Sequence, residues 1–298
     1  MDGDILIQVY IRGRLGNQLF QYACAKHYSK KWNEEMCVKF GEDKNQLDNF
    51  NIKKLNIVKK YNINIFQKSI LILFLLIRRI YSSNIPIKQQ KIETKFQKLL
   101  NKVGIYWYTN GYYDFSYSKA KNKIFIGYFE SEKYFEDIIE EIKDEYKIKK
   151  DLKSNKMIKK MRETESVCIS IRRGDFVSIS NIVCNQKYYE NAINEISKYI
   201  KKPTFFVFSD DIEWVKKNMK FPGETYYESG KDLPYETLTI MSNCKNFIIS
   251  NSTFHWWAQY LSSYKKKIVI APKLWRNYKI KLDIIQDNWI LIDNESSV

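Results

Sequence analysis

Two adjacent arginines, Arg172 and Arg173, end a short β-branched run, Cys168-Ile169-Ser170-Ile171, and are followed by Gly174 and Asp175. A guanidinium is a planar fork of donors that fits phosphate oxygens two at a time. Open α/β sheets hold their ligands beyond the carboxyl ends of the strands. Residue type and position together point to a phosphorylated ligand gripped where a buried strand stops. Related chemistry is offered by a second turn, in which Gly13 and Gly16 stand three apart within Gly13-Arg14-Leu15-Gly16-Asn17-Gln18. Glycines let the backbone turn tightly and approach a ligand, and N–H groups at a helix start favour an anion. The spacing is neither the dinucleotide fingerprint nor a P-loop, because no Gly-Lys-Ser/Thr follows. A plain connector between strand and helix would satisfy it equally well.

These residues need a scaffold, and the rhythm of the chain supplies one. Val167–Ile171 reads as a buried strand, and Tyr188–Ile200 as a helix with Tyr189, Ile193, Ile196 and Ile200 on one face. Thr204–Phe208 is a strand that breaks into Ser209-Asp210-Asp211, suited to cap a helix at 212–219. Pro234 fits the first turn of a helix reaching about Asn243. Phe247–Ser250 is a strand, Asn251-Ser252-Thr253 a capping turn, Phe254–Leu261 a helix and Ile268–Ala271 a further strand. Alternation of this kind implies a parallel, doubly wound sheet whose strand ends, at Arg172/Arg173, Ser209–Asp211 and Ser250–Thr253, line one crevice. Upstream, residues 1–40 read as strand, glycine turn and helix, 41–125 as irregular and lysine-rich, and 131–147 as a charged amphipathic helix. The lysine-rich stretch 147–160 lacks apolar periodicity and is the expected boundary, giving two α/β units at 1–153 and 154–298.

The chain has 298 residues, enough for about two ordinary domains, and its 44% hydrophobic content excludes a disordered polypeptide. Fifty Lys and Arg against 34 Asp and Glu give a formal charge of +16, which fits an acidic ligand, a nucleic acid or a membrane surface. Lysines are scattered throughout, however, and a solvated surface accounts for most of them. The five cysteines show no metal-ligand spacing, so reduced thiols and a cytoplasmic location are expected. An acidic start, Met-Asp-Gly-Asp, excludes a signal peptide reading. The apolar run Ile70–Ile77 spans eight residues, far short of the roughly 20 that cross a bilayer. A buried helix of the first unit is its simpler reading, and a peripheral contact with the inner membrane surface, flanked by Lys68, Arg78 and Arg79, is the other.

Five segments in order, GRLGNQLFQYA at 13–23, GYFESEKYF at 127–135, SIRRGDF at 170–176, FVFSDD at 206–211 and MSNCKNFIISNSTFHWWAQYL at 241–261, resemble the bacterial α-1,2-fucosyltransferases. That group is glycosyltransferase family 11, which includes blood-group-H-type synthases; the match is thinnest over 41–125. The resemblance implies a GT-B fold: two facing Rossmann-like domains, the active site in the cleft between them, and the donor mainly on the carboxyl-terminal one. It implies inverting, metal-free transfer of L-fucose from GDP-β-L-fucose to the 2-hydroxyl of a terminal galactose in a surface glycan. No cofactor or metal is expected, and the partners are the GDP-fucose donor and a galactose-terminated acceptor rather than nucleic acid.

Leaving-group GDP gains charge on its β-phosphate, and without a metal an arginine must offset it. Arg172 or Arg173 takes that role, with the other bracing the loop or pairing with Asp175. Asp175 is the nearest acid, a poor base if an arginine pairs with it, and phosphate-assisted proton removal would need no strong base. Placed on the matching motifs, the donor-binding candidates are Gly13, Arg14, Gly16, Asn17, Gln18, Ser170, Asp210, Asp211, Glu236, Thr237, Asn251, Ser252 and Thr253. His27, on the helix face of Phe20, reads as a partly buried structural histidine, and with Trp256 it forms the acceptor-side candidate pair. Two positions depart from the family pattern. Ser170 stands where many members have histidine, and Thr237, beside Glu236, where many have an acid that reads guanine. Glu236 or backbone groups would then read the base. The rival readings are a transferase forming another fucosyl linkage, a basic nucleic-acid-binding protein, and a membrane-surface protein anchored through 68–79.

Overall fold

The computed structural model describes residues 6–53, 55–152, 154–173, 184–276 and 280–294. They divide into two compact units. The first runs to Lys147 and takes back a short stretch ending at Ile284; the second begins at Ile148 and resumes at Ile285.

In the first unit, β1 (Leu6–Ile11), α1 (Leu15–Trp32) and β2 (Glu35–Phe40) follow the expected strand, turn and helix. Residues 41–125 are far less irregular than their composition suggests. They contain two long helices, α2 (Ile65–Ser82) and α3 (Pro86–Lys102), and two strands, β3 (Ile105–Tyr108) and β4 (Asn122–Gly127). Asn64 and Gln67 close a reciprocal capping box that starts α2, and Pro86 opens α3 at a position where its missing N–H costs nothing. The strands form a parallel sheet in the order β2-β1-β4-β3. Its core is aromatic: Phe125 stacks on Tyr106 at 4.5 Å and meets Phe115 edge-on.

Two expectations fail here. The apolar run in α2 is not a buried helix, since only Gln67, Phe74 and Ser82 of that helix are buried and residues such as Leu73 and Leu76 face outward. The charged helix expected over 131–147 is broken. Single 3-10 turns at Glu132–Tyr134 and Glu136–Ile138 precede a short α4 (Ile139–Glu145), because Tyr134 and Phe135 turn fully into the core and interrupt the helical face. Residues 280–284 return to this unit through specific bonds. The Gln90 amide donates to the Lys281 carbonyl at 2.7 Å, and Asp283 accepts from the Tyr112 N–H and pairs with Lys133.

The second unit matches the expected alternation closely. After α5 (Lys156–Glu163) come β5 (Ser166–Ile171), α6 (Gln186–Ile196), β6 (Thr204–Ser209), α7 (Ile212–Asn218), β7 (Thr225–Tyr227) and α8 (Pro234–Met241). They are followed by β8 (Asn246–Ile248), α9 (Thr253–Tyr260), β9 (Val269–Pro272) and β10 (Ile290–Ile292). All six strands are parallel, in the order β10-β9-β8-β5-β6-β7. β5 lies at the centre with every residue buried, which is why it reads as an unbroken apolar run rather than an alternating one. Two parallel-sheet α/β units in one chain place the protein in the expected α/β, GT-B fold class.

Candidate functional site

Strand order decides where a ligand can sit. From β5 the chain winds outward through β6 and β7, then returns to lay β8, β9 and β10 on the other side of β5. The direction reverses between β5 and β8, and a crevice opens beyond the carboxyl ends of strands at such a switch. Arg172 and Arg173 leave the end of β5, and Ser250–Thr253 leave the end of β8, so the topology brings the two turns together.

Buried hydroxyls pin these ends to each other. On α6, the Tyr188 hydroxyl donates to the Ile249 carbonyl at 2.6 Å, and the Tyr189 hydroxyl donates to the Ser170 carbonyl at 3.3 Å. Tyr189 also lies in hydrogen-bonding reach of the Arg172 backbone and the Ser250 side chain, and burial pushes its phenol well above the usual range. Ser170 is fully buried and its hydroxyl donates to the Ile248 carbonyl of the adjacent strand, so it joins strands instead of facing a nucleotide. One turn further, Ser250 and the Nδ1 of His255 lie 2.7 Å apart. Burial, and then the positive charge of Arg172, lower the His255 pKa to about 3. The imidazole is therefore neutral, chiefly because it is buried.

Arg173 is held differently. Its guanidinium carbon lies 3.4 Å above the Trp214 ring, its Nε reaches Asp211 at 3.4 Å, and its backbone N–H donates to Asp210 at 2.7 Å. Asp211 also caps α7 by accepting from the Trp214 N–H. The two acids thus hold Arg173 itself in place. Among the described residues no group of three His, Cys, Asp or Glu side chains could hold a metal ion. Asp175 lies outside the described residues.

Beyond β8, Ser252 is the residue before the first turn of α9, and its own side chain makes no capping bond there. Thr253 is its first helical residue. Asn251 turns toward the scaffold, its amide donating to the Trp275 carbonyl at 3.3 Å. Trp256 is fully buried, stacked on Tyr260 at 4.4 Å, and offers no platform to an acceptor sugar. The helix that carries it has its apolar side in the core.

Toward the sheet edge, the buried Glu236 accepts from the Leu233 N–H at 2.9 Å and is hydrogen-bonded by Lys150. Those two contacts, Lys150 first, hold its carboxyl below the usual range. Thr237 donates its hydroxyl at 2.9 Å to Glu228, which no motif signals, at the carboxyl end of β7. Burial raises the Glu228 pKa, partly offset by that hydroxyl. The carboxylate is bonded by Thr237 alone among the described residues.

In the first unit the glycine turn again lies at a switch, between β1 and β4. Gly13 has φ +81°, and a Cβ there would meet the Asn17 amide at 2.7 Å, so glycine is needed on both counts. The Gly13 N–H donates to Asp43 at 2.6 Å. Gln18 is buried and committed: its amide donates to the Gly13 and Lys44 carbonyls and its oxygen accepts from the Gln46 N–H. Gln21 holds both backbone groups of Arg12 in the same way, and the Arg12 guanidinium lies over the Tyr128 ring at 4.7 Å, joining the two strand ends. Arg14 is exposed, Asn17 half-buried and Gly16 buried at the start of α1. His27 is not brought to this turn. It lies about 18 Å along α1 from Leu15 at the 1.5 Å helical rise, with its Nδ1 on Asp137 at 2.7 Å.

The model of the glycosyl transferase family 11 matches residues 6–293. The chain belongs to that family. The family 11 chain is 29% identical to an Escherichia coli α-1,2-colitosyltransferase, covering 97% of this chain and 99% of that protein. Identity to the E. coli O-antigen biosynthesis glycosyltransferase WbnK is 27%, over 94% and 98%. A mouse galactoside 2-α-L-fucosyltransferase, Sec1, is 28% identical over 32% of this chain and 28% of its own. Among solved structures, the fucosyltransferase NodZ from Bradyrhizobium superposes with a TM-score of 0.50 at 11% identity, covering 87% and 93% of the two chains. That likeness shows the fold.

Several residues that organise this family 11 site are not visible as chemistry in the sequence. Tyr188 and Tyr189 read there only as helix core, and Trp214 and Glu228 carry no motif at all. The buried histidines give a direct test. Both histidines of the chain have pKa values lowered, in each case chiefly by burial. The unfolded chain, titrating near 6.5, then binds more protons than the folded one below that pH, so stability rises with pH there. Urea midpoints should climb between about pH 5 and pH 7, and His255→Gln should flatten the climb; a wild-type midpoint constant over that window contradicts a neutral, buried His255.

Proposed function

We propose that this glycosyltransferase moves L-fucose from GDP-β-L-fucose to the 2-hydroxyl of a terminal β-galactoside, with inversion and without a metal. The observation that supports this most is the strand order that puts the end of β5, where Arg172 stands, beside the turn from β8 into α9, next to a histidine kept neutral. A cation and a helix start at neighbouring strand ends suit a diphosphate gaining charge as it leaves. Arg172 is the proposed clamp on the β-phosphate. Arg173, stacked on Trp214 and tied to Asp210 and Asp211, is the proposed brace that sets the loop.

In the reaction, the acceptor 2-hydroxyl oxygen bonds to the anomeric carbon from the face opposite the diphosphate. The bond from that carbon to the β-phosphate oxygen breaks, and its electron pair leaves on GDP. The hydroxyl proton passes to Asp175 or to a phosphate oxygen. Glu228 is the proposed acceptor for the paired N–H groups of guanine. It lies against Thr237, whereas Glu236 is occupied by Lys150 and the α8 backbone. Gly13, Arg14, Gly16 and Asn17 are proposed to line the donor side of the first unit, with Gln18 setting their turn. The colitosyltransferase relative supports the α-1,2 linkage and favours a second donor, the GDP derivative of colitose, which is fucose without its 3-hydroxyl.

Purified protein should turn over GDP-fucose with a β-galactoside in the presence of EDTA, and linkage analysis should find α-1,2. Arg172→Ala should lower turnover by two to three decades, about 3–4 kcal/mol, as for loss of an oxyanion donor. Dependence on added metal, another linkage, or a fully active Arg172→Ala contradicts the proposal. For the base, inhibition by GDP should exceed that by IDP, which lacks the exocyclic amine. Glu228→Gln should shrink this preference by roughly tenfold, the value of one good hydrogen bond to a charged group; an unchanged ratio removes Glu228 from base recognition.

A further inference from the structure

Helix α2 carries more apolar residues than one covered side can take, with Ile, Leu or Phe at 65, 66, 70–77 and 80. Only one side is covered. Phe74 is buried with Leu100 and Ile105 beneath the helix, with Ile70, Leu71 and Leu75 packed around them. The opposite side carries Ile65 at 84% exposure, Phe66 at 65%, Leu73 at 58%, Leu76 at 51% and Ile80 at 69%. Positions 65, 72, 76 and 80 recur at helical spacing, so these side chains form one stripe along the whole length of α2. Apolar patches of that extent on a soluble protein mark an interaction surface.

The neighbouring helix identifies the partner. Helix α3 packs on α2 and carries Lys88, Lys91, Lys95, Lys98 and Lys102 at spacings of three and four, all exposed, while Lys68 and Arg79 are exposed on α2 itself. Between residues 65 and 102 the chain has one acid, Glu93, and it is fully buried, bonded by Arg78, Trp107 and Thr109. The hairpin therefore presents an apolar stripe beside a cationic stripe with no exposed anion. A second copy joined symmetrically through this face would bring like charges together with nothing to pair them. A bilayer surface containing anionic phospholipid answers both stripes at once, since acyl chains take the apolar residues and headgroup phosphates the lysines.

We propose that the α2–α3 hairpin docks this protein onto an anionic phospholipid surface. The full chain is sedimented with vesicles of phosphatidylcholine alone or mixed with phosphatidylglycerol, at low and high salt. Binding to the mixed vesicles alone, weakened by salt, is expected. Leu73→Asp/Leu76→Asp should abolish it. Lys91→Glu/Lys95→Glu/Lys98→Glu, which alters only exposed residues, should weaken it by more than roughly tenfold, with circular dichroism and Tm confirming that each variant is folded. No binding to mixed vesicles overturns the proposal, as does binding that survives the lysine reversals in a folded protein. Self-association that depends on the same leucines, without vesicle binding, overturns it in favour of a second copy.

Discussion

The site in the second unit depends on the pinning of β5 to β8 at their carboxyl ends. A parallel sheet leaves backbone groups unpaired where its strands stop, and a crevice at a switch point tends to open further. Here the Tyr188, Tyr189 and Ser170 hydroxyls bond carbonyls at both ends, and Ser250 holds His255 one turn away. All of these groups are buried, so losing one leaves an unsatisfied partner, at a cost of about 1–3 kcal/mol. The network ties the end of β5, next to Arg172, to the end of β8 before any ligand arrives. The proposed clamp requires positioning of this kind, because donors already in place need no reorganisation as charge develops.

The paired arginines divide their work for a physical reason. Two guanidiniums on consecutive residues repel each other unless one is neutralised or dispersed. Arg173 is given both Asp211 and the face of Trp214, and the histidine that feels the charge of Arg172 is kept neutral, chiefly by burial. A protonated His255 would add a further cation within reach of the Arg172 charge. Burial prevents that.

Much of the second unit is legible in the sequence, because buried parallel strands read as apolar β-branched runs and their ends carry Arg172, Asp211 and Ser252. The first unit is harder to read. The outward stripe of α2 hides its helical period, and lysines on α3 resemble loop composition, so 41–125 looks irregular. His27 is correctly placed on the buried face of α1, yet facing tells nothing of distance along the axis, and it lies turns away from Gly13. Trp256 looks like a sugar platform by residue type and is core by its place on α9. Glu228 follows a three-residue strand with no pattern, and only its bond to Thr237 reveals it.

The central claim, that Arg172 grips the phosphate that departs, is tested most directly by calorimetric titration of GDP and GMP into the wild type and Arg172→Ala. GMP lacks the β-phosphate and keeps everything else. The account predicts that the wild type favours GDP over GMP by roughly tenfold or more, as expected for a charge-assisted contact, and that Arg172→Ala binds the two alike. A preference for GDP that persists unchanged in Arg172→Ala would contradict it.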